Sequence, residues 1–193
     1  MKEVTINKQA KLSEHFTLAE MCKTSAKTAD GRSAQGDALL AKNIPSHVHI
    51  ENLKRLCGWL EMLRDEWNRR YGSLTPNPSP KGEGNSDDPI IINSGYRSEA
   101  VNKAVGGAKG SNHLTGCAAD IRVADIEQAL RYAVILLDIS DERQRVGDGT
   151  SGMSREDFDE LLLERSPRGT YWLHFAVRPS DNRRKVRLIQ SLR

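Results

Sequence analysis

Two histidines and an aspartate are the residues of this sequence best suited to bind a metal ion. His113 and Asp120 lie seven residues apart around Gly116, and His174 lies in an apolar segment much later in the chain. A hydrolytic zinc site needs three ligands from His, Asp, Glu or Cys, and a fourth position open to water. Spacing alone is weak evidence, because a histidine in an apolar strand is more often a core residue. These residue types permit a zinc site without requiring one.

The sequence around these residues strengthens the metal interpretation. Four motifs follow one another in the order Ser94-Gly-Tyr-Arg-Ser98, Ser111-Asn-His-Leu-Thr-Gly116, Ala118-Ala-Asp-Ile121 and Trp172-Leu-His174. Together they resemble the zinc D-alanyl-D-alanine carboxypeptidase-like family of murein peptidases (M15-like), in particular its short, single-domain, phage-associated branch. The resemblance implies that His113, Asp120 and His174 bind Zn²⁺.

The same resemblance implies an enzyme that hydrolyses peptide bonds in the stem peptides of peptidoglycan. The family includes D-Ala-D-Ala carboxypeptidases, dipeptidases and endolysins that cut L-Ala-D-Glu bonds. Two neutral imidazoles and one carboxylate leave a zinc site with net positive charge, which lowers the pKa of water to about 7. The choice between the two bonds stays open, because both present a carboxylate to the same kind of cleft.

A carboxylate that accepts a proton from water is the second chemical requirement. Several family members carry Glu three residues before the last histidine ligand, where this chain has Tyr171. Other members carry a pattern similar to Phe158-Asp-Glu-Leu-Leu-Leu-Glu164, which implies Glu164 as the general base. Asp159 and Glu160 are the alternatives. Tyr171 also leaves open a catalytically silent zinc-binding wall or interaction module.

Arg97 and Ser111 complete the predicted site. The resemblance places Arg97 in the cleft, where a guanidinium suits a substrate carboxylate or the developing oxyanion; the alternative is a pairing with a local acid. Ser111 is expected to orient the site or to touch substrate, because no Ser/His/Asp pattern surrounds it. Cys117 follows His113 by four residues, but we discount it as a ligand because the resembling motif tolerates varied residues there.

The apolar pattern predicts an α+β fold. With the resemblance, it implies a single zinc peptidase domain over residues 1–193, with a small, mainly antiparallel sheet packed against helices and the zinc site at the sheet edge. Apolar residues at steps of three and four predict a long helix over 50–67. A capping box at Thr17 and Glu20 predicts a short helix, and Ser98 is expected to cap another.

Strands and a further helix complete the predicted elements. Alternation predicts a strand over 171–177, with Tyr171 and Leu173 on one face and Trp172 and His174 on the other. Other strands are predicted at 89–92 and 118–123, whereas 158–163 is ambiguous between helix and strand. A helix capped by Asp125 is expected to bury a stripe of Ile126, Ala129, Leu130, Ala133, Val134 and Leu137.

Two segments are predicted to lie outside the core. Residues 74–88 contain three of the seven prolines together with two glycines, which predicts an exposed inserted loop. Residues 178–193 are rich in arginine and predict a solvated basic tail.

Charge and hydropathy limit the classes of binding partner and the cellular locations that we expect. The net charge of +3 comes without a dense basic block interleaved with aromatics, so we expect no nucleic-acid binding. No segment approaches the ~18 apolar residues of a membrane span, so we expect no stable membrane insertion. The first residues lack the apolar core of a signal peptide. We therefore expect a monomer that is synthesised in the cytoplasm and acts on the cell wall after release.

Overall fold

The structure is a computed structural model that describes residue 7 and residues 9–23, 43–72, 88–146 and 158–190. Its helices are α1 (Leu18–Met21), α2 (His47–Tyr71), α3 (Glu99–Ala104) and α4 (Ile126–Val146), with a 3-10 turn at Asn112–Thr115. Its strands are β1 (Ile92–Ser94), β2 (Ala118–Arg122), β3 (Glu160–Arg165), β4 (Tyr171–Ala176) and β5 (Lys185–Gln190). The predicted loop at 74–88 lies outside the described residues except for Asp88.

The five strands form one sheet in the order β1-β2-β4-β3-β5. All neighbouring pairs are antiparallel except β3 and β5, which run parallel. The predicted α+β fold with a mainly antiparallel sheet is confirmed. The apolar segment that was ambiguous by period is β3, and the strand predicted at 89–92 begins only at its last residue.

The helix predicted over 50–67 is confirmed as α2. Its first turn is closed by a capping box between Ser46 and His49, which satisfies backbone N–H groups that have no partner within the helix. The stripe that includes Leu53, Leu60 and Trp67 is buried in the core. The caps predicted at Thr17 and Ser98 are also present. None of the helices in the described part of the chain is both long and apolar enough to cross a bilayer.

Helix α4 forms where predicted, but only part of the predicted stripe is buried. Ala129 is fully buried, and Ala133 and Leu137 pack against the core. Ile126, Leu130 and Val134 of the same stripe are 43–51% exposed. The core also receives Tyr132, Ile135, Leu136 and Ile139, so the buried face is rotated relative to the predicted one. The prediction was wrong for the three exposed residues because α4 carries apolar residues on more than one face, so their period does not select the face that meets the sheet.

The basic segment 178–193 is not a solvated tail over the residues that the structure describes. Residues 185–190 form β5, which pairs with β3. Acidic side chains pair with three of the segment's basic residues: Arg183 with Asp159, Arg184 with Asp141, and Lys185 with Glu160. A run of like charge can join a sheet when buried carboxylates face it, and this compensation is not visible in the run itself.

The two faces of the sheet have different roles. Alternate residues such as Ile121, Leu163 and Phe175 belong to the core shared with α2 and α4. Asp120 and His174 lie on the opposite face, in β2 and β4, which are interior strands. The predicted position at the sheet edge is therefore corrected to the open face of the sheet.

Candidate metal centre

The structure brings the three predicted metal ligands together. His113 comes from the 3-10 turn, whereas Asp120 and His174 are directly paired residues of β2 and β4. Nε2 of His113 lies 3.2 Å from Oδ1 of Asp120 and 3.2 Å from Nδ1 of His174. The distance from Nδ1 of His174 to Oδ1 of Asp120 is 2.9 Å. Three potential ligand atoms thus converge on one point.

This donor set fits a zinc ion. Bonds of about 2.0–2.1 Å in a tetrahedral site separate neighbouring ligand atoms by about 3.3 Å, and the three observed separations of 2.9–3.2 Å are close to that value. Two imidazoles and one carboxylate are also a common catalytic set that leaves one position open. These are the three residues that could hold the metal.

Hydrogen bonds around His113 orient its ring. Its Nδ1 lies 2.6 Å from the carbonyl oxygen of Gly95, which can only accept, so Nδ1 carries the hydrogen and Nε2 presents its lone pair to the site. The Ser111 hydroxyl accepts from the backbone N–H of His113 and caps the turn. The observed contact of Ser111 is thus an orienting one.

Gly116 ends the 3-10 turn in a conformation that requires glycine. It adopts the left-handed conformation, with φ of 72°, and a Cβ there would lie 2.7 Å from the carbonyl oxygen of His49. A side chain at Gly116 would therefore disturb the packing of the turn against α2.

The electrostatics of the triad favour a positive charge at its centre. Burial lowers the pKa of His113. Burial would also lower that of His174, but hydrogen bonds with Asp120 and Glu160 raise the pKa of His174 to about 9. Burial alone would raise the pKa of Asp120, but the two imidazoles and Arg97 hold this pKa well below its usual value. A divalent cation bound between these ligands would supply such a charge.

Arg97 pairs with a local acid, which was the alternative to a free substrate contact. Its guanidinium donates to Oδ2 of Asp120 and, at 2.8 Å, to Oγ of Ser94. Because Oδ1 of Asp120 faces the imidazoles, Arg97 orients this carboxylate toward the site. Arg97 also lines the cleft, so a substrate contact stays a prediction.

The three carboxylates considered as general base have different surroundings. Asp159 is fully buried, which alone would raise its pKa. Hydrogen bonds from Arg183 and Asn112 nevertheless hold the pKa of Asp159 below its usual value. Contacts with His174 and Lys185 hold the pKa of Glu160 well below its usual range. Burial raises the pKa of Glu164 instead.

Tyr171 does not occupy the position of a missing base. Its side chain packs against the hydrophobic core, on the face of β4 opposite to His174. Any residue three positions before His174 in this strand points away from the triad, because successive side chains alternate. Tyr171 is therefore a packing residue in this fold, and the silent-module interpretation stays an alternative that activity measurements decide.

An open cleft of about 790 Å³ gives access to the triad. Its walls include residues from the sheet face and from the loop after α3, among them Arg97, Gly107, Ser111, Glu164, Trp172 and Arg183. Trp172 also lines this cleft, next to Glu164, with which it is paired across β3 and β4. Cys117 is buried and free, and it is not part of the triad.

Sequence reasoning missed the side chains that surround the ligands. Asn112 donates to Asp159 at 2.7 Å and to Glu160 at 3.1 Å, and Arg183 and Lys185 approach the same acids. The sequence did contain one signal for these surroundings. Strand alternation in β3 places Glu160 and Glu164 on the face that carries the site.

Comparison with known proteins finds a family match over part of the chain. No curated protein matches the sequence. The family model described as Peptidase M15 matches residues 81–140, about a third of the chain. This segment contains Arg97, His113 and Asp120, whereas His174 and Glu164 lie beyond it. The resemblance to the M15-like peptidases is thus confirmed by a family match over residues 81–140, which supports a peptidase.

Proposed function

We propose that the protein is a zinc metallopeptidase that hydrolyses peptide bonds in the stem peptides of peptidoglycan. The observation that carries this proposal is the convergence of His113, Asp120 and His174 on one face of the sheet, with Glu164 on the wall of the same cleft. The Peptidase M15 match supports the peptidase class. Cytoplasmic synthesis followed by release to the cell wall is part of the proposal.

Each residue has a defined task. His113, Asp120 and His174 would hold zinc, which when bound polarises the substrate carbonyl and makes water more acidic. Glu164 accepts the proton from the attacking water at its carboxylate and delivers it to the nitrogen of the leaving amine. Arg97 orients Asp120 and, with Ser111, contacts the substrate.

Glu164 suits this task better than its neighbours. A general base must have a free lone pair and a pKa not far below the working pH. Burial raises the pKa of Glu164, whereas Glu160 and Asp159 are ion-paired with Lys185 and Arg183. The environment thus separates one reactive carboxylate from two bound ones.

Purified protein with purified peptidoglycan tests the proposal. We expect about one zinc per chain and the release of new amino groups, with mass spectrometry of the muropeptides distinguishing L-Ala-D-Glu from D-Ala-D-Ala cleavage. His174→Ala should lose zinc. Glu164→Gln should keep zinc and folding while losing about 100-fold or more in turnover.

The outcomes separate the alternatives. Full zinc occupancy in His174→Ala would show that the ligand set is wrong. Zinc-loaded wild-type protein that releases nothing from any peptidoglycan would support a silent binding module instead.

A further inference from the structure

Glu160 lies directly behind the ring of His174. Nδ1 of His174 faces the triad, and its other nitrogen, Nε2, lies 3.5 Å from Oε2 of Glu160. In the register of the sheet, Glu160 is paired with Ala176, two residues beyond His174 on the same face of β4. The imidazole is thus placed between Asp120 on the metal side and Glu160 on the far side.

Three donors hold the Glu160 carboxylate in place. Oε1 of Glu160 lies 2.9 Å from Nζ of Lys185 and 3.0 Å from the guanidinium of Arg183, while Oε2 accepts from Asn112 at 3.1 Å. Lys185 is the direct partner of Glu160 in the parallel pairing of β5 with β3. The side chain of Glu160 is only 13% exposed. Its oxygens are therefore occupied and fixed, unlike those of a group that must accept and release protons.

We infer that Glu160 is a positioning residue that selects the tautomer of His174, and that Arg183, just before β5, and Lys185, the first residue of β5, hold it in place. A neutral imidazole binds a metal through one nitrogen and carries its hydrogen on the other. A carboxylate beside Nε2 favours the hydrogen there, so that Nδ1 presents its lone pair to the metal. This inference rests on the proposed zinc centre.

The test measures the zinc dissociation constant by competition with a chromophoric chelator. Removing such an outer carboxylate costs about 10- to 100-fold in metal affinity, so Glu160→Ala should bind zinc that much more weakly. Glu160→Gln, which keeps one oxygen as an acceptor, should lose less. Glu164→Gln is the matched control on the same strand and should retain wild-type zinc affinity.

A spectroscopic measurement distinguishes positioning from a general loss of structure. Long-range ¹H–¹⁵N spectra of zinc-loaded wild-type protein should show His174 protonated at Nε2, and Glu160→Ala should shift or broaden that signal while the Nδ1–H of His113 remains. Should Glu160→Ala fail to fold, Glu160→Met, which keeps the chain length without a carboxylate, takes its place in both measurements.

Several results would overturn the inference. Wild-type zinc affinity in a folded Glu160→Ala or Glu160→Met removes the positioning role and leaves the zinc centre standing. Unchanged zinc affinity with abolished turnover in Glu160→Gln makes Glu160 the base instead. Wild-type protein that binds no zinc overturns the inference and the proposed function together.

Discussion

Glu160 and Glu164 lie on the same face of β3 and yet have opposite surroundings. Cationic and amide donors surround Glu160, so its charge is stabilised. Glu164 lies beside Trp172 and is partly buried, so its charge is less favourable. The two carboxylates thus differ in how readily they ionise, because the local environment sets the free energy of ionisation.

The raised pKa of Glu164 predicts the acid limb of the pH–rate profile. The base works only when ionised, so turnover of the zinc-loaded enzyme should fall as the pH falls through the raised pKa, which lies above the usual value of 4.5. Glu164→Gln should remove this limb from its residual rate. pH–rate profiles of the wild type and of Glu164→Gln, measured at saturating zinc, test this prediction. An acid limb that persists in Glu164→Gln but disappears in Glu160→Gln would assign the base to Glu160.

At the scale of elements, α4 shows how the sheet selects one helix face among several. Ile135 and Leu136 are fully buried against the core, whereas Leu130 and Val134 are about half exposed. Burial removes apolar surface from water and contributes roughly 25 cal/mol per Å². The face that meets the sheet therefore contributes most of the stability that α4 provides.

Matched truncations on α4 test this orientation. Ile135→Ala should lower the free energy of unfolding by about 2–5 kcal/mol, because it leaves a cavity in the core. Leu130→Ala should change it by no more than about 0.5 kcal/mol. Urea denaturation of both variants measures the difference. A larger loss for Leu130→Ala would mean that the face predicted from the sequence is the buried one.

For the whole molecule, the metal site links parts of the chain that are far apart in sequence. The turn with His113, the strand β2 with Asp120 and the strand β4 with His174 meet only in the folded state. An unfolded chain cannot hold these ligands together, so zinc should bind the native state preferentially.

Zinc should therefore stabilise the fold in proportion to its concentration. At a free concentration of 100 times the dissociation constant, a ligand that binds only the native state adds about 2.7 kcal/mol. Thermal unfolding with and without a chelator should show a higher Tm for the zinc-loaded wild type. In His174→Ala the difference should vanish, and an equal rise in that variant would point to zinc binding elsewhere.

The sequence by itself determined the elements whose signals are local. The apolar stripe of α2 and the caps at Thr17 and Ser98 depend on residues three or four positions apart, and these formed as predicted. Motif order identified His113, Asp120 and His174, since each lies in a distinctive local string. Strand alternation also predicted that Tyr171 lies on the face of β4 opposite to His174.

Only the tertiary structure decided the features that depend on partners distant in the chain. The buried face of α4 depends on the sheet on which it packs. The strand β5 depends on Asp159 and Glu160, at the start of β3, which pair with Arg183 and Lys185. The same contacts pair Asp159 and Glu160 with cations, whereas burial raises the pKa of Glu164. The sequence identifies the charged groups, but their free energies of ionisation depend on burial and on neighbours that only the fold supplies.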